Sequence, residues 1–277
     1  MNYIKMITLL LCGLVTAGAA DKTLRIAYPN WAEGIAMTHL AKAVLEDKLG
    51  YEVTLTQADP GVIFAALANG DQDLMLDAWL PYTHEAYWEK YGASLENLGA
   101  TFGYGVTGLV VPSYMTIRSI EDLNGISDQL DGKIIGIDPG AGISANTLKA
   151  IDEYDLKLQQ VNSSGPAMTA ALADAIRSKK PIVVTGWKPH WKFGRFDLKI
   201  LEDPRGVFPI DQIRKVARKG FTKDHPEAYQ LLINFALTED QLLSLMEAIE
   251  KSGNAPAAAE DWARANQPLV NSWLLKP

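Results

Sequence analysis

Three tryptophans in this 277-residue chain share one context. Trp31 follows "IAYPN", Trp79 follows "DLMLDA" and Trp187 follows "PIVVTG". Each reads as standing at the carboxyl end of a strand, on the rim where open α/β sheets form ligand crevices. Facing indole rings attract a cation through the negative face of the π system, and a quaternary ammonium group is a favoured guest. Such a cation has no N–H to donate, so only shape and ring electrostatics can select it. Core packing is the ordinary alternative for any one of these rings, and the shared position is what separates them from it. The stretch "TGWKPHW", Thr185–Trp191, is the richest case: two tryptophans and a histidine surround a proline just past the apparent strand "KKPIVV". Trp88, Trp191, Trp262 and Trp273 read instead as helix or packing residues.

Two further features offer polar partners. In "GIDPGAGISANT", Gly136–Thr147, a glycine turn around Gly140 and Gly142 opens a helix. The first N–H groups of a helix are free and carry partial positive charge, so they can receive an anion such as a carboxylate. A plain tight turn is the alternative. The run is not G-x-G-x-x-G, and no P-loop lysine follows it. In "AWLPYTH", His84 lies five residues after Trp79, beyond a proline turn, where it can donate to an anion or serve a purely structural role.

Catalytic chemistry is less well represented. His39, His84, His190 and His225 show no zinc-ligand spacing, and neither H-E-x-x-H nor G-x-S-x-G occurs. The acidic pairs Glu121–Asp122 and Glu239–Asp240 fall in first turns of helices, where they suit the dipole. No metal or cofactor is expected. A hydrolase using His84 or His190 as general base is the competing reading, and it lacks a visible nucleophile.

The formal net charge of −7 argues against nucleic acid or an anionic membrane as the main partner. With 48% hydrophobic and 21% charged residues the chain has a globular composition. Residues 1–20, "MNYIKMITLLLCGLVTAGAA", place one lysine, an apolar run and small residues in the order of a secretory signal peptide. That run is too short to span a bilayer. The single cysteine, Cys12, lies inside it, and the bulky Leu11 before it disfavours a lipid anchor. The expectation is an exported, periplasmic or extracytoplasmic protein with no disulfide.

The elements that must position these residues follow from periodicity. "KTLRIAYP" reads as a strand, residues 31–49 as a helix stopped by Gly50, and "YEVTLTQ" as a strand. Residues 60–69 form a helix with Asp59 as cap and Gly70 as stop, and "DLMLDAWLP" is a third strand. This β-α-β-α-β run predicts a parallel sheet. "GYGVTGLVVP" then leaves that unit. A helix capped by Ser119 and Asp122 follows, and then two strand–helix units lead to "PIVV" and Trp187. "IRKVARKGF" reads as a returning strand. Helices capped by Asp224 and by the Thr238–Gln241 box then lead to the end of the chain. The predicted architecture is α/β with two lobes: 21–107 plus 208–277, and 108–207. The chain crosses twice between them and leaves a ligand cleft that closes by a hinge.

The strings "GIDPGAGI", "SSGPAMTAAL", "KKPIVVTGWKPHW" and "DAWLPYTH" resemble the substrate-binding proteins of quaternary-ammonium ABC importers, the glycine betaine, proline betaine and choline group. The likeness runs over nearly the whole chain beyond residue 20. It implies the type II periplasmic-binding-protein fold, a non-enzymatic role, and delivery of a bound zwitterion to a membrane permease by a monomer. By matching strings it implies a cage of Trp31, Trp79 and Trp187. It assigns the ligand carboxylate to the N–H groups of Gly142 and Ile143 and to His84. Trp191 and His190 become supporting packing. Glu33, two residues past Trp31, reads first as a helix N-terminal residue; choline-selective members use an acid in that region for the cation, which keeps a choline-selective protein as the alternative. Tyr104 is a candidate fourth wall. A sensor that binds the same ligand and signals to a receptor stays open beside transport.

Overall fold

The computed structural model describes residues 22–275, so the expected signal segment and Cys12 lie outside the described residues. The chain opens with β1 (Thr23–Tyr28), α1 (Ala32–Leu49), β2 (Glu52–Gln57), α2 (Pro60–Asn69) and β3 (Leu74–Leu80). This is the predicted β-α-β-α-β run, and it is parallel: Thr23 faces Glu52 and Ile26 faces Leu74. Gly50 ends α1 at φ 66°, a left-handed conformation that glycine enters without steric cost. Asp59 precedes α2 as expected, yet its side chain makes no capping bond, and Pro60 at the first position sets the helix start instead.

Next come α3 (Glu85–Tyr91), a short 3-10 turn, and β4 (Leu95–Pro112). A longer 3-10 segment, Ile120–Leu130, carries the predicted capping box at Ser119 and Asp122. The second α/β unit is β5 (Lys133–Ile135), α4 (Gly142–Glu153), β6 (Gln159–Val161), α5 (Gly165–Arg177), β7 (Val184–Lys188), α6 (Lys192–Arg195) and β8 (Leu198–Ile200). The return strand β9 (Ile210–Arg218) leads to α7 (Phe221–Asp224), α8 (Pro226–Asn234), α9 (Glu239–Ser252), α10 (Ala255–Ala265) and α11 (Gln267–Ser272). Asp224 does not cap α8; it ends α7 and pairs with Arg218 at 2.7 Å, leaving His225 at the cap position.

Among the described residues the strands form one mixed, curled sheet in the order β2-β1-β3-β9-β4-β7-β5-β6, with β8 also beside β4. This is the predicted two-lobed α/β architecture. Strand β4 is longer than the sequence reading of its second part. Its first part pairs with β9 and its second with β7, and Val106 faces both Ile210 and Lys188. Three register shifts between Asn97 and Gly105 bend it where it passes from one neighbour to the other. The C-terminal helices α9 and α10 pack back on α1. At the edge of the first unit, Asp73 accepts hydrogen bonds from Arg25 and Arg218, which joins the strand ends of β1, β3 and β9.

Candidate ligand-binding site

Folding brings seven segments to one place: the start of α1, the end of β3, the turn before α3, β4 at Thr107, the loop after β5, the start of α4, and β7. They surround a small cavity lined by Trp31, Glu33, Trp79, Thr83, Thr107, Ile137, Gly142, Ile143 and Trp187. All three predicted tryptophans and both predicted backbone donors therefore meet. All three stand at or just past the carboxyl end of a strand as expected, but Trp187 does so within its strand and not in the loop after it. Trp187 lies inside β7, opposite Thr107 of β4, and Trp79 lies inside β3, opposite Ile213 of β9. Trp31 holds the cap position of α1. The strand "PIVV" was placed too early because Gly186 reads as a breaker. In the fold Gly186 is needed for space, since a Cβ there would meet Val110 Cγ2 at 2.4 Å.

The rings are held by their edges. Each indole N–H donates to a carboxylate: Trp31 to Asp138 at 3.3 Å, Trp79 to Asp77 at 3.0 Å and Trp187 to Glu33 at 2.7 Å. Trp31 and Trp187 lie 6.3 Å apart between centroids, with planes 57° from parallel. The Lys192 ammonium covers one side of Trp187, 4.1 Å from a ring centroid, which leaves the other side for the cavity. Gly105 makes room for Trp79, because a Cβ there would lie 2.6 Å from its Cζ3.

His84 is not in the cavity wall itself. It is fully buried behind it, with its ring 5.9 Å from that of Trp31. Its Nδ1 accepts the Trp79 backbone N–H at 3.1 Å, so the ring proton belongs on Nε2, and Nε2 has no partner. Burial pulls its pKa down to about 3, so the ring is a neutral single donor. The turn that carries it is fixed by Asp211, which accepts the N–H groups of Tyr82 and Thr83 at 2.7 and 3.0 Å.

Gly142 and Ile143 open α4, and no acceptor among the described residues faces their N–H groups. The expected tight turn forms, with the Ala141 N–H donating to the Asp138 carbonyl at 3.0 Å, but neither Gly140 nor Gly142 has a positive φ, so the turn's backbone does not require glycine. Gly142 abuts the His84 turn so closely that a Cβ would lie 1.9 Å from the Thr83 carbonyl oxygen. Tyr87 fixes the same junction by donating to the Gly140 carbonyl at 2.8 Å.

Other expectations resolve as follows. Trp191 and His190 support the cage from behind: His190 lies 5.0 Å from Trp187 and 5.3 Å from Trp191. Tyr104 is 60% exposed and outside the cavity lining. Glu33 is fully buried and lines the cavity, so its place is the site and not merely the helix dipole. Asp77, Lys192, Thr83 and Thr107 were missed. The signal for two of them was a charge within an apolar stretch: Asp77 in "DLMLDAWL" and Lys192 in "HWKFG". A larger open groove of about 350 Å³ shares only Trp187 with the cage, and its charged groups Arg195 and Glu250 are engaged with each other at 3.2 Å.

Residues 22–265 match the family described as the substrate binding domain of ABC-type glycine betaine transport systems. The chain belongs to this family. That membership, in a family of transport binding domains, sets aside the hydrolase reading of His84 and His190. A lactococcal OpuAC crystal structure, closed and complexed with glycine betaine, is 39% identical and superposes with a TM-score of 0.87 over 92% of this chain and 100% of that one. An ABC-transporter choline binding protein in complex with choline is 29% identical, with a TM-score of 0.84 over 92% of each chain. The glycine betaine/carnitine transport binding protein GbuC of Listeria monocytogenes is 39% identical over 162 residues, 57% of this chain. The match spans about half, 54%, of that relative.

Proposed function

We propose that this protein is an extracytoplasmic binding protein that captures glycine betaine and presents it to an ABC permease. The observation that carries the reading is the convergence in one cavity of three indole rings and the free N–H groups at the start of α4, with the unpartnered Nε2 of His84 buried behind the wall. The trimethylammonium group would lie among Trp31, Trp79 and Trp187. The carboxylate would receive the N–H groups of Gly142 and Ile143 and the Nε2–H of His84. A neutral donor suits this role, because it selects for a carboxylate without titrating near neutral pH. The lobes are divided at 107 and 207 in this reading. Trp31, Trp79 and His84 come from the first lobe, Gly142, Ile143 and Trp187 from the second. Closure alone completes both subsites, so the ligand favours the closed form. The chain acts as a monomer without a cofactor.

A second reading rests on Glu33. Its carboxylate lies in the cavity wall with Oε1 unpartnered, an arrangement that serves a cation without an acid tail such as choline. Tryptophan fluorescence titrated separately with glycine betaine and choline distinguishes the two. Saturation at micromolar glycine betaine with a weak choline response supports the first. Preference for choline overturns it and promotes Glu33, and silence with both, confirmed by calorimetry, overturns the cage.

A further inference from the structure

We propose that Glu33 and Asp77 form a buried carboxylate pair that shares one proton when the cage is empty and releases it to solvent when a quaternary ammonium group enters. The inference rests on the cage reading above and adds to it a chemical event that accompanies binding.

The geometry comes first. Both side chains are fully buried, on α1 and β3. Asp77 lies against the first turn of α1, close enough that a Cβ on Gly34 would meet its Oδ2 at 2.5 Å. Each carboxyl spends one oxygen on a cage ring, Glu33 on Trp187 and Asp77 on Trp79. Each keeps the other oxygen, Glu33 Oε1 and Asp77 Oδ2, buried with no hydrogen-bond partner. Two ionised carboxylates cannot readily share such a place, because each raises the cost of charging the other.

Charge counting then sets the proton. The charged groups facing the pair are few. Lys192 of α6, fully buried and with no hydrogen-bond partner on Nζ, is the nearby cation; burial lowers its pKa to about 7 against the pull of Glu33, so it is charged below that value. His84 from the turn after β3 and His190 after β7 are both held neutral by burial. Asp138 lies farther off, on the Trp31 edge. With one shared proton the pair balances Lys192 and the buried cluster is neutral. An incoming ammonium group adds one positive charge, while the ligand's carboxylate lies away at the start of α4. Breaking the O–H bond of the pair, with the proton passing to a buffer base, restores neutrality. Burial raises both groups, Glu33 to about 7 and Asp77 well above its ordinary value with the Glu33 charge adding to the effect, so the pair still holds a proton near neutral pH. Both are acids with raised values, so ligand affinity rises with pH below about 7 and levels off above it.

The test is calorimetric titration with glycine betaine at about pH 6.5 in two buffers of different ionisation enthalpy. The expected result is release of roughly half to one proton per ligand, with affinity weakening by up to about tenfold per pH unit below 7. Asp77→Asn and Glu33→Gln each keep an acceptor for their indole N–H, and in each the release disappears. Binding without proton release, or release that persists in both variants and is lost only in Lys192→Met, overturns the inference and leaves the cage reading standing. Absence of binding by the parent protein overturns both. The pH dependence of the parent's affinity needs no variant, and a flat profile between about pH 5.5 and 7 likewise overturns the pair.

Discussion

Trp187 meets four different groups with one side chain: Glu33 at its N–H edge, Lys192 on one face, His190 against its side, and the cavity on what remains. Donation of the indole N–H to a carboxylate orients the ring and enriches its π system, which strengthens the face offered to a cation. The other two cage rings use the same device with Asp138 and Asp77. A desolvated cation–π contact is worth about 2 kcal/mol. Trp187→Ala is therefore expected to weaken glycine betaine at least about tenfold. Trp187→Phe keeps a ring and loses the bond to Glu33, so its affinity falls between the two. Calorimetry of the three proteins checks the order, and equal affinity of Trp187→Ala and parent removes Trp187 from the site.

At the scale of elements, the site depends on how closely α4 approaches the turn before α3. Gly142 is the contact point, with no room for a Cβ against Thr83. Gly142→Ala favours the helix intrinsically, yet obstructs this apposition. The expected outcome is an unchanged melting temperature without ligand and a lost thermal shift with glycine betaine. A normal ligand-induced shift would show that the approach is not needed. The strand ends carry a second dependence. Asp73, almost fully buried, pairs with Arg25 at 2.9 Å and Arg218 at 2.7 Å. Asp73→Ala leaves the mostly buried Arg218 without its partner while the half-exposed Arg25 stays solvated, and is expected to cost about 1–3 kcal/mol in denaturant unfolding. The arginines hold the Asp73 pKa below its ordinary value of 3.8. Its contribution is therefore present above that value and lost as pH falls through the lowered one. A loss of stability that does not shrink in acid would contradict this account.

For the whole molecule, the sheet is continuous through β4, and β4 and β9 are the strands that link its two ends. Contacts across the cleft are made by ring edges, by the Tyr87–Gly140 bond and, outside the cage, by the Arg195–Glu250 pair at 3.2 Å. Small-angle scattering is expected to show a smaller radius of gyration with glycine betaine than without it in the parent protein. No change is expected in Gly142→Ala. An identical radius with and without ligand in the parent would argue against hinge closure.

Much of this was legible in the sequence. Period-two and period-3.6 patterns with glycine stops located β1, α1, β2, α2 and β3, because local sterics and one buried face set them. Long shared strings pointed to the three tryptophans, His84, Gly142 and Ile143. Only the tertiary structure decided what those residues do to each other. Trp187 proved to be a strand residue, since pairing with β4 overrides the breaker Gly186. Gly142 proved to matter for close approach, and not for a turn. Glu33, Asp77 and Lys192 became one buried cluster around the indole rings, although they are distant in sequence and only a charge in an apolar stretch marks Asp77 and Lys192 locally. Burial and charge balance are properties of neighbours in space, and neighbours from three different elements leave no periodic trace along the chain.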